Sequence, residues 1–506
     1  MEVILFLLIV GITLVIAKSF LGIRSRLLLV ESDTPIDPNS LTHDGITTLL
    51  SKMGHPEFRG VCYGFTLNWA LNVADGHETL FYKQLHLLRV HQVTLPTIMQ
   101  QIRIKRKESK SLTGDEHTIE TLPKLLRKIC MAQSPLQYKT YYGKLVWQSD
   151  VPTILSKIAS KYSNVKRIFY KTHTFASMGD ANNYFDLLKS IGINGRTAVI
   201  ISTDDHAMGF KLAGHLWRFI DINGLFKQHV EKPYYEFTSK QLAHKLYKLC
   251  SNGTLITRLT VNTDFIALQS HDSLSRTLSN MYPRFPLKSK MTYAEKIAFF
   301  TMAALQGDLE TVKQCLKAGL SIFFHDQLSD DSPLLTALFE GRREVVQAMI
   351  SSPRFLINKR RKSDGFTLLH LACESGGADI VGDLLKIRRI LVDAQDKKGR
   401  TPLMVACEKT TFTRDKKLFE QLLAHGASRT IKDQSGLTAL DHAIQNDHYV
   451  AIRMIRDKKL SKTIPASRAI TKTGKIASNK ATFFNKTFKT TSSNEVSPCM
   501  ESTMMC

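Results

Sequence analysis

The chain has 506 residues, of which 43% are hydrophobic, and its 69 Lys and Arg against 45 Asp and Glu give a formal net charge of +24. This length and apolar content predict two or three folded domains and exclude a largely disordered chain. The positive charge favours acidic surfaces, either nucleic acid or anionic lipid. We find no zinc-finger spacing, RNA-recognition signature or strand-flanked glycine phosphate loop, so we do not expect nucleic acid as a partner. An anionic membrane is still an expected partner.

The cysteines are scattered along the chain, with no CxxC pair and no spacing typical of a disulfide framework. This usage is typical of a protein in a reducing compartment. We expect no metal ion and no organic cofactor. The eight positions are Cys62, Cys130, Cys250, Cys315, Cys373, Cys407, Cys499 and Cys506.

An apolar segment, residues 1–23, begins the sequence and contains a run of fifteen uncharged residues that ends before Lys18. This run is shorter than the ~20 residues that cross a bilayer, although Lys18 could snorkel to the interface. A cleaved signal peptide would start with positive charge, and Glu2 stands there instead, although residues 15–17 resemble a cleavage site. We expect a membrane anchor, which would leave residues 24–506 on the cytosolic side.

Cys62 lies in residues 60–70, Gly-Val-Cys-Tyr-Gly-Phe-Thr-Leu-Asn-Trp-Ala, where a glycine-flanked turn leads into an apolar, helix-like stretch. A cysteine at a helix N-terminus feels the positive end of the helix dipole, which lowers the thiol pKa and favours the nucleophilic thiolate. Taken alone, a cysteine in this position is explained equally well by a structural role, as a small buried hydrophobic residue.

Residues 197–221 have the pattern of a buried strand followed by a hairpin. If a two-residue turn at 213–214 joins its strands, His206 and Asp221 are direct cross-strand neighbours with Cβ atoms roughly 4.5–5.5 Å apart, and the carboxylate can orient the imidazole. A one-residue slip would put them on opposite faces. The alternatives in this region are a base at His215, an orienting carboxylate at Asp204 or Asp205, and Asn223 in place of Asp221.

These blocks resemble the papain-like Cys/His/Asp proteases of bacterial effectors, the YopT type. The resemblance covers residues 45–265 and rests on the Cys62 segment, on His-Ala-Met-Gly-Phe from His206, and on Trp-Arg-Phe-Ile-Asp-Ile-Asn-Gly around Asp221. It implies an α+β domain over residues 43–268. In that domain Cys62 would be the nucleophile, His206 the general base and Asp221 the orienting carboxylate.

One departure from the family concerns the oxyanion hole. Papain-like enzymes place a Gln several residues before the cysteine, and residues 53–59 contain none. The backbone N–H of Cys62 can supply one donor to the oxyanion. His55 is the candidate for the second donor.

From residue 291 to residue 460 the sequence repeats itself. Aligned segments start at Asp330, Gly365, Gly399 and Gly436, separated by 35, 34 and 37 residues, and a degenerate copy begins near Ile297. The segments resemble ankyrin repeats, whose period is ~33 residues. The resemblance implies an all-α solenoid of about five repeats that binds another protein. It also implies that His370 and His442 are structural and not metal ligands.

Residues 461–506 are rich in Thr, Ser, Lys and Asn and cannot bury enough apolar surface to fold alone. We expect a disordered basic tail, which in bacterial effectors with ankyrin repeats commonly carries the secretion signal.

Together these patterns predict a monomeric bacterial effector that is injected into the host cytosol. Its thiol protease domain would cleave an amide bond in a host protein that the repeats select. Glutamine deamidation and transglutamination use the same constellation and stay open. The alternative, favoured by the missing Gln, is a catalytically inactive scaffold that sequesters a host protein through the repeats.

Overall fold

The structure is a computed structural model that describes residues 41, 43–56, 60–143, 146–161, 163–203, 206–227, 232–250, 258–268, 272–282, 291–323, 332–353, 355–408 and 416–457. The predicted N-terminal anchor and the basic tail lie outside these ranges. Within them, no helix is long and apolar enough to cross a membrane. The chain divides into two compact units between Met291 and Thr292.

The first unit begins with helices and continues with a sheet. The helices that precede the sheet are α1 (His43–Lys52), α2 (Cys62–Asp75), α3 (Glu78–Val90), α4 (Leu95–Lys107), α5 (Gly114–Gln133), α6 (Lys139–Tyr142) and α7 (Val151–Ile158). The strands are β1 (Val165–Phe175), β2 (Ala198–Ser202), β3 (Ala207–Ala213), β4 (Leu216–Ile220), β5 (Tyr235–Phe237) and β6 (Leu259–Leu268). Helices α8 (Met178–Ser190), α9 (Ser239–Cys250) and α10 (Asp272–Met281) complete the unit.

The six strands form one antiparallel sheet in the order β1-β6-β2-β3-β4-β5. Successive side chains of a strand point to opposite faces. Ala198 and Ile200 of β2 therefore enter the core beneath the N-terminal helices, while Val199 and Ile201 enter a second core beneath α8, α9 and α10. An α+β sheet domain is thus present, with helices on both faces.

Helix α2 is the central helix of this unit. Twelve of its fourteen residues are buried, as expected for a helix that is apolar on all sides. Trp69 packs directly on β3 at Gly209, where a Cβ atom would lie only 2.4 Å from the indole ring. This close approach sets the height of α2 above the sheet.

The core of the first unit continues beyond Leu268, the predicted end of the domain. Leu274 and Leu278 of α10, with Tyr282, belong to the second core. Because these residues cover β1 and β6 from below, α10 is an integral part of the sheet domain.

The second unit is a series of helix pairs. They are α11 (Tyr293–Gln306) with α12 (Leu309–Lys317), α13 (Pro333–Phe339) with α14 (Arg343–Ile350), α15 (Leu368–Glu374) with α16 (Ala378–Leu385), α17 (Pro402–Glu408) with α18 (Lys416–Ala424), and α19 (Ala439–Gln445) with α20 (Tyr449–Arg456). The first helix of each aligned repeat begins one residue after Ser332, Thr367, Thr401 or Thr438. These four residues therefore lie at the N-cap position, where Ser and Thr are favoured.

Candidate active site at the start of α2

Cys62 is the first residue of α2, as the sequence predicts. The residue before it, Val61, has φ −134° and makes no side-chain cap. The first N–H groups of a helix have no intrahelical acceptor, so the thiol lies at an electropositive helix end.

Gln133, at the end of α5, satisfies one of these free donors. Its Oε1 accepts a hydrogen bond from the N–H of Gly64 at 2.9 Å. A Cβ atom at Gly64 would lie 2.2 Å from the carbonyl oxygen of Ile129, so only glycine lets α5 approach this closely. The sequence analysis did not identify Gln133, because nothing local links it to residues 69 positions earlier.

His206 and Asp221 lie side by side, with Nε2 of the imidazole 2.8 Å from Oδ1 of the carboxylate. His206 immediately precedes β3, and Asp221 immediately follows β4. The Asp221 side chain is 2% exposed, and its Oδ1 also accepts the backbone N–H of Asn223 at 3.0 Å. Because the carboxylate only accepts hydrogen bonds, Nε2 carries the proton and Nδ1 is the nitrogen left for a thiol.

The hairpin that carries this pair has a different register from the predicted one. Ala213 pairs with Leu216, so the turn is Gly214-His215 and not Ala213-Gly214. Gly214 has φ +63° at the first central position, where a type II′ turn requires glycine. The register differs from the prediction by two residues, which leaves both side chains on the same face.

The alternative residues take other places. His215 lies in the turn at the opposite end of the strands from His206. Asn223 is exposed and contacts Asp221 through its backbone N–H. Asp204 and Asp205 lie outside the described residues.

Thr66 ties α2 to the strand that carries His206. Its buried hydroxyl lies 2.8 Å from the carbonyl oxygen of Cys62 and 3.2 Å from that of Ala207. The two acceptors flank the site, one on the nucleophile and one on the residue after His206. The distance between helix and strand is therefore set within one turn of the thiol.

The imidazoles of His206 and His43 both act on the pKa of the Cys62 thiol. Burial acts to raise this pKa, but hydrogen bonding and charge interaction with the two imidazoles outweigh burial and lower the pKa from 9.0 to about 7. Burial likewise acts to lower the pKa of His206, but the bonds from Asp221 and Cys62 raise it from 6.5 to about 10. At neutral pH a thiolate–imidazolium pair is therefore favoured.

His43 is a site residue that the sequence analysis did not identify. It begins α1, and its Nε2 accepts the N–H of Val61 at 3.4 Å, while Nδ1 lies 3.4 Å from Oδ1 of Asp44. The hydrogen bond from Cys62 raises the pKa of His43, against burial. The packing of Ile46 and Leu49 in the core brings α1 to the thiol, and no motif in the sequence signals this contact.

His55, the candidate for the second oxyanion donor, is engaged elsewhere. Its Nδ1 hydrogen-bonds the hydroxyl of Tyr138 at 2.9 Å. Burial and the nearby Arg127 lower the pKa of this imidazole. The second imidazole at the thiol is that of His43.

No three His, Cys, Asp or Glu side chains converge in the manner of a metal site within the described ranges. The repeat histidines have structural partners. Nδ1 of His370 accepts the N–H of Thr367 at 3.1 Å, and its Nε2 lies 3.0 Å from the carbonyl oxygen of Arg400 in the next repeat. Nε2 of His442 lies 2.9 Å from Oδ2 of Asp433.

The second unit matches the family model for ankyrin repeats over residues 300–390 and 378–465. Residues 300–465 are ankyrin repeats. Two proteins named as ankyrin repeat proteins are similar to the chain. YahD of Escherichia coli (strain K12) is 29% identical over 179 residues, which cover 29% of this chain and 88% of YahD. FPV031 of fowlpox virus (strain NVSL) is 25% identical over 166 residues, which cover 32% of this chain and 47% of FPV031.

Proposed function

We propose that the first unit is a thiol-dependent amide hydrolase, with a papain-like arrangement of Cys62, His206 and Asp221. The observation that carries the proposal is the 2.8 Å hydrogen bond between the His206 imidazole and the buried Asp221 carboxylate, together with Cys62 at the start of α2, where this imidazole lowers the thiol pKa. Nucleophile, base and orienting group stand in the order that acyl transfer requires.

In the proposed reaction, the thiolate of Cys62 attacks the carbonyl carbon of the amide. The N–H of Cys62 and the positive end of α2 stabilise the oxyanion. The His206 imidazolium gives its Nδ1 proton to the leaving amine, and a thioester results. Neutral His206 then takes a proton from the water that attacks the thioester, which releases the acid and the thiol.

His43 has a separate role in this proposal. It acts on the thiol pKa from α1, and the carboxylate nearest to its imidazole among the described residues, that of Asp44, is almost fully exposed. We assign it to stabilising the thiolate, whereas proton transfer belongs to His206.

The ankyrin repeats would choose the substrate. Ankyrin repeats are protein-binding elements that perform no chemistry themselves. A hydrolase on the same chain would therefore act on an amide of the protein that the repeats bind. Delivery of the protein into a host cell as an effector is part of the proposal, and its predicted secretion signal lies in residues 461–506, outside the described residues.

The first test measures alkylation of Cys62 by iodoacetamide against pH in the full chain, with the site mapped by mass spectrometry. We expect a midpoint near 7 in the unsubstituted protein, and a higher midpoint after His206→Ala because only His43 then opposes the effect of burial on the thiol pKa. Equal, ordinary thiol behaviour in both proteins would remove the basis for hydrolysis and favour the scaffold.

A second test identifies the reaction. A eukaryotic cell lysate is incubated with the full chain or with Cys62→Ala, and new protein N-termini and glutamine deamidation are compared by mass spectrometry. New N-termini that depend on Cys62 indicate proteolysis, whereas deamidated or amine-linked glutamines indicate the related acyl transfers.

A further inference from the structure

In the loops between successive ankyrin repeats, the aspartates are bonded within the fold and the lysines are exposed. We call residues 361–366, 395–400 and 432–437 the finger loops; they precede α15, α17 and α19. In each loop one aspartate turns inward and accepts backbone N–H groups of its own turn. These bonds run from Phe366 to Asp364 at 3.0 Å, from Arg400 to Asp396 at 2.7 Å, and from Leu437 to Asp433 at 2.9 Å.

Each of these aspartates also has a side-chain partner. Asp364 pairs with Arg361, Asp396 with Arg400, and Asp433 with the imidazole of His442. The Asp396 side chain is 0% exposed. The aspartates of the finger loops are therefore bonded within the fold; the side chains of Asp396 and Asp433 are buried, and that of Asp364 is 29% exposed.

The lysines of the same loops point the other way. Lys362, Lys397, Lys398 and Lys432 are exposed, and none of them forms an ion pair with any residue that the structure describes. Nζ of Lys397 donates to the carbonyl oxygen of Lys362 at 2.6 Å, which places this ammonium group against the preceding loop.

Backbone hydrogen bonds join the loops into one edge. The N–H of Lys397 donates to the carbonyl oxygen of Asp364 at 2.8 Å, and the N–H of Gln434 donates to that of Lys398 at 2.9 Å. We call the four exposed lysines on these joined loops the lysine edge. The backbone of the lysine edge is held in place by these hydrogen bonds, so little backbone entropy is lost when a partner binds.

We propose that the lysine edge binds an acidic, extended segment of the partner protein, an inference that rests on the proposed partner-binding role of the repeats. Lysine suits this task because its ammonium is a compact charge on a flexible stem, which can follow successive carboxylates. Such complementarity raises the association rate and selects against basic partners. The one aromatic residue of the finger loops, Phe366, is buried and cannot stack on a base, which disfavours single-stranded nucleic acid.

The test uses the full chain with Cys62→Ala, so that turnover does not interfere. Binding is measured by fluorescence anisotropy with a labelled peptide of alternating glutamate and serine, and with a short labelled DNA duplex. The K362E/K397E/K398E/K432E variant is compared with K313E/K317E/R453E/R456E. The second variant changes the net charge equally, at four exposed cations on α12 and α20.

We expect the lysine-edge variant to lose roughly tenfold in peptide affinity and much of its salt dependence, and the matched control to change far less. Equal losses in both variants, or no loss in either, would overturn the proposal. Tighter binding of the duplex than of the peptide through the same lysines would replace the acidic protein by nucleic acid. Alkylation of Cys62 in the parent chain is read separately, so failure of the thiol chemistry and failure of the lysine edge are distinguishable.

Discussion

The hydroxyl of Thr66 lies 3.2 Å from the carbonyl oxygen of Ala207, so the helix that begins at Cys62 is bonded to the strand that follows His206. We expect Thr66→Val to lower the free energy of unfolding of the first unit by about 1 kcal/mol, the value of a typical hydrogen bond. We also expect the alkylation midpoint of Cys62 to rise, because the helix is no longer held at this strand. Thr118→Val is the control, since its hydroxyl bonds only Gly114 of its own helix at 2.9 Å. An unchanged midpoint in Thr66→Val would contradict the positioning role.

The pair of Cys62 and His206 defines a pH window. The depressed pKa of Cys62 contributes stability that is present above 9 and is lost as the pH falls through about 7. The raised pKa of His206 contributes stability that is present below 6.5 and is lost as the pH rises through about 10. Both contributions to stability are partly present between about pH 7 and about pH 10, and we expect alkylation of Cys62 to become fast as the pH rises through about 7, where the thiolate forms.

Asp221→Asn should narrow this window. The amide can still accept a hydrogen bond, but it carries no charge to stabilise the imidazolium, so the pKa of His206 falls and that of Cys62 rises. Alkylation of Cys62 against pH measures the change. Asp186→Asn is the matched control, because this carboxylate is exposed on α8 and accepts a hydrogen bond from Asn182 of its own helix. If both variants move the midpoint equally, Asp221 is not the orienting group.

His43→Ala tests the second imidazole. We expect the alkylation midpoint of Cys62 to rise, but by less than after His206→Ala, because the Asp221-supported imidazole stays in place. His55→Ala removes an imidazole that bonds Tyr138 and should leave the midpoint unchanged. An effect of His55→Ala equal to that of His43→Ala would indicate a general loss of packing.

Sequence patterns predicted the parts of this site that depend on local structure. A glycine-flanked apolar stretch located Cys62 at a helix start, and alternation along two strands placed His206 beside Asp221 although the register was off by two residues. The prediction that the two side chains share a face survives this error, because a shift of two residues returns each side chain of a strand to the same face of the sheet. His43 and Gln133 reach the site only through helix packing, which no local pattern encodes.

Gly64→Ala should damage the site and the fold together. The new Cβ would meet the backbone of α5 at 2.2 Å, and backbone cannot move aside as a side chain can. We expect a loss of roughly 3 kcal/mol or more in the free energy of unfolding, measured by tryptophan fluorescence in denaturant. Gly114→Ala is the control, since nothing lies within 4 Å of its Cβ. A loss below about 1 kcal/mol in Gly64→Ala would show that α2 and α5 separate readily.

Gly399→Ala and Gly436→Ala test whether the finger loops are coupled. Both glycines have φ near +79°, so each alanine costs about 1–2 kcal/mol of backbone strain. At Gly399 the added Cβ would also lie 2.9 Å from the backbone N of Gln434 in the next loop. A Cβ added at Gly436 would have no neighbouring atom within 4 Å. We therefore expect Gly399→Ala to be the more destabilising of the two.

The measurement exploits the tryptophans, because Trp69, Trp147 and Trp217 all belong to the first unit. Loss of helical circular dichroism without a change in tryptophan fluorescence reports unfolding of the repeats. Equal destabilisation by both alanines would mean that adjacent loops are not coupled.

The central place of β6 in the sheet has a consequence for how the protein is made. Strand β6 lies between β1 and β2, yet it is the last strand to be synthesised. A nascent chain that ends after Asp221 contains Cys62, His206 and Asp221 but has no strand to join β1 to the rest. We therefore expect the reactive thiol to appear only after residue 268 has left the ribosome, and nascent chains that stop earlier to stay chemically silent.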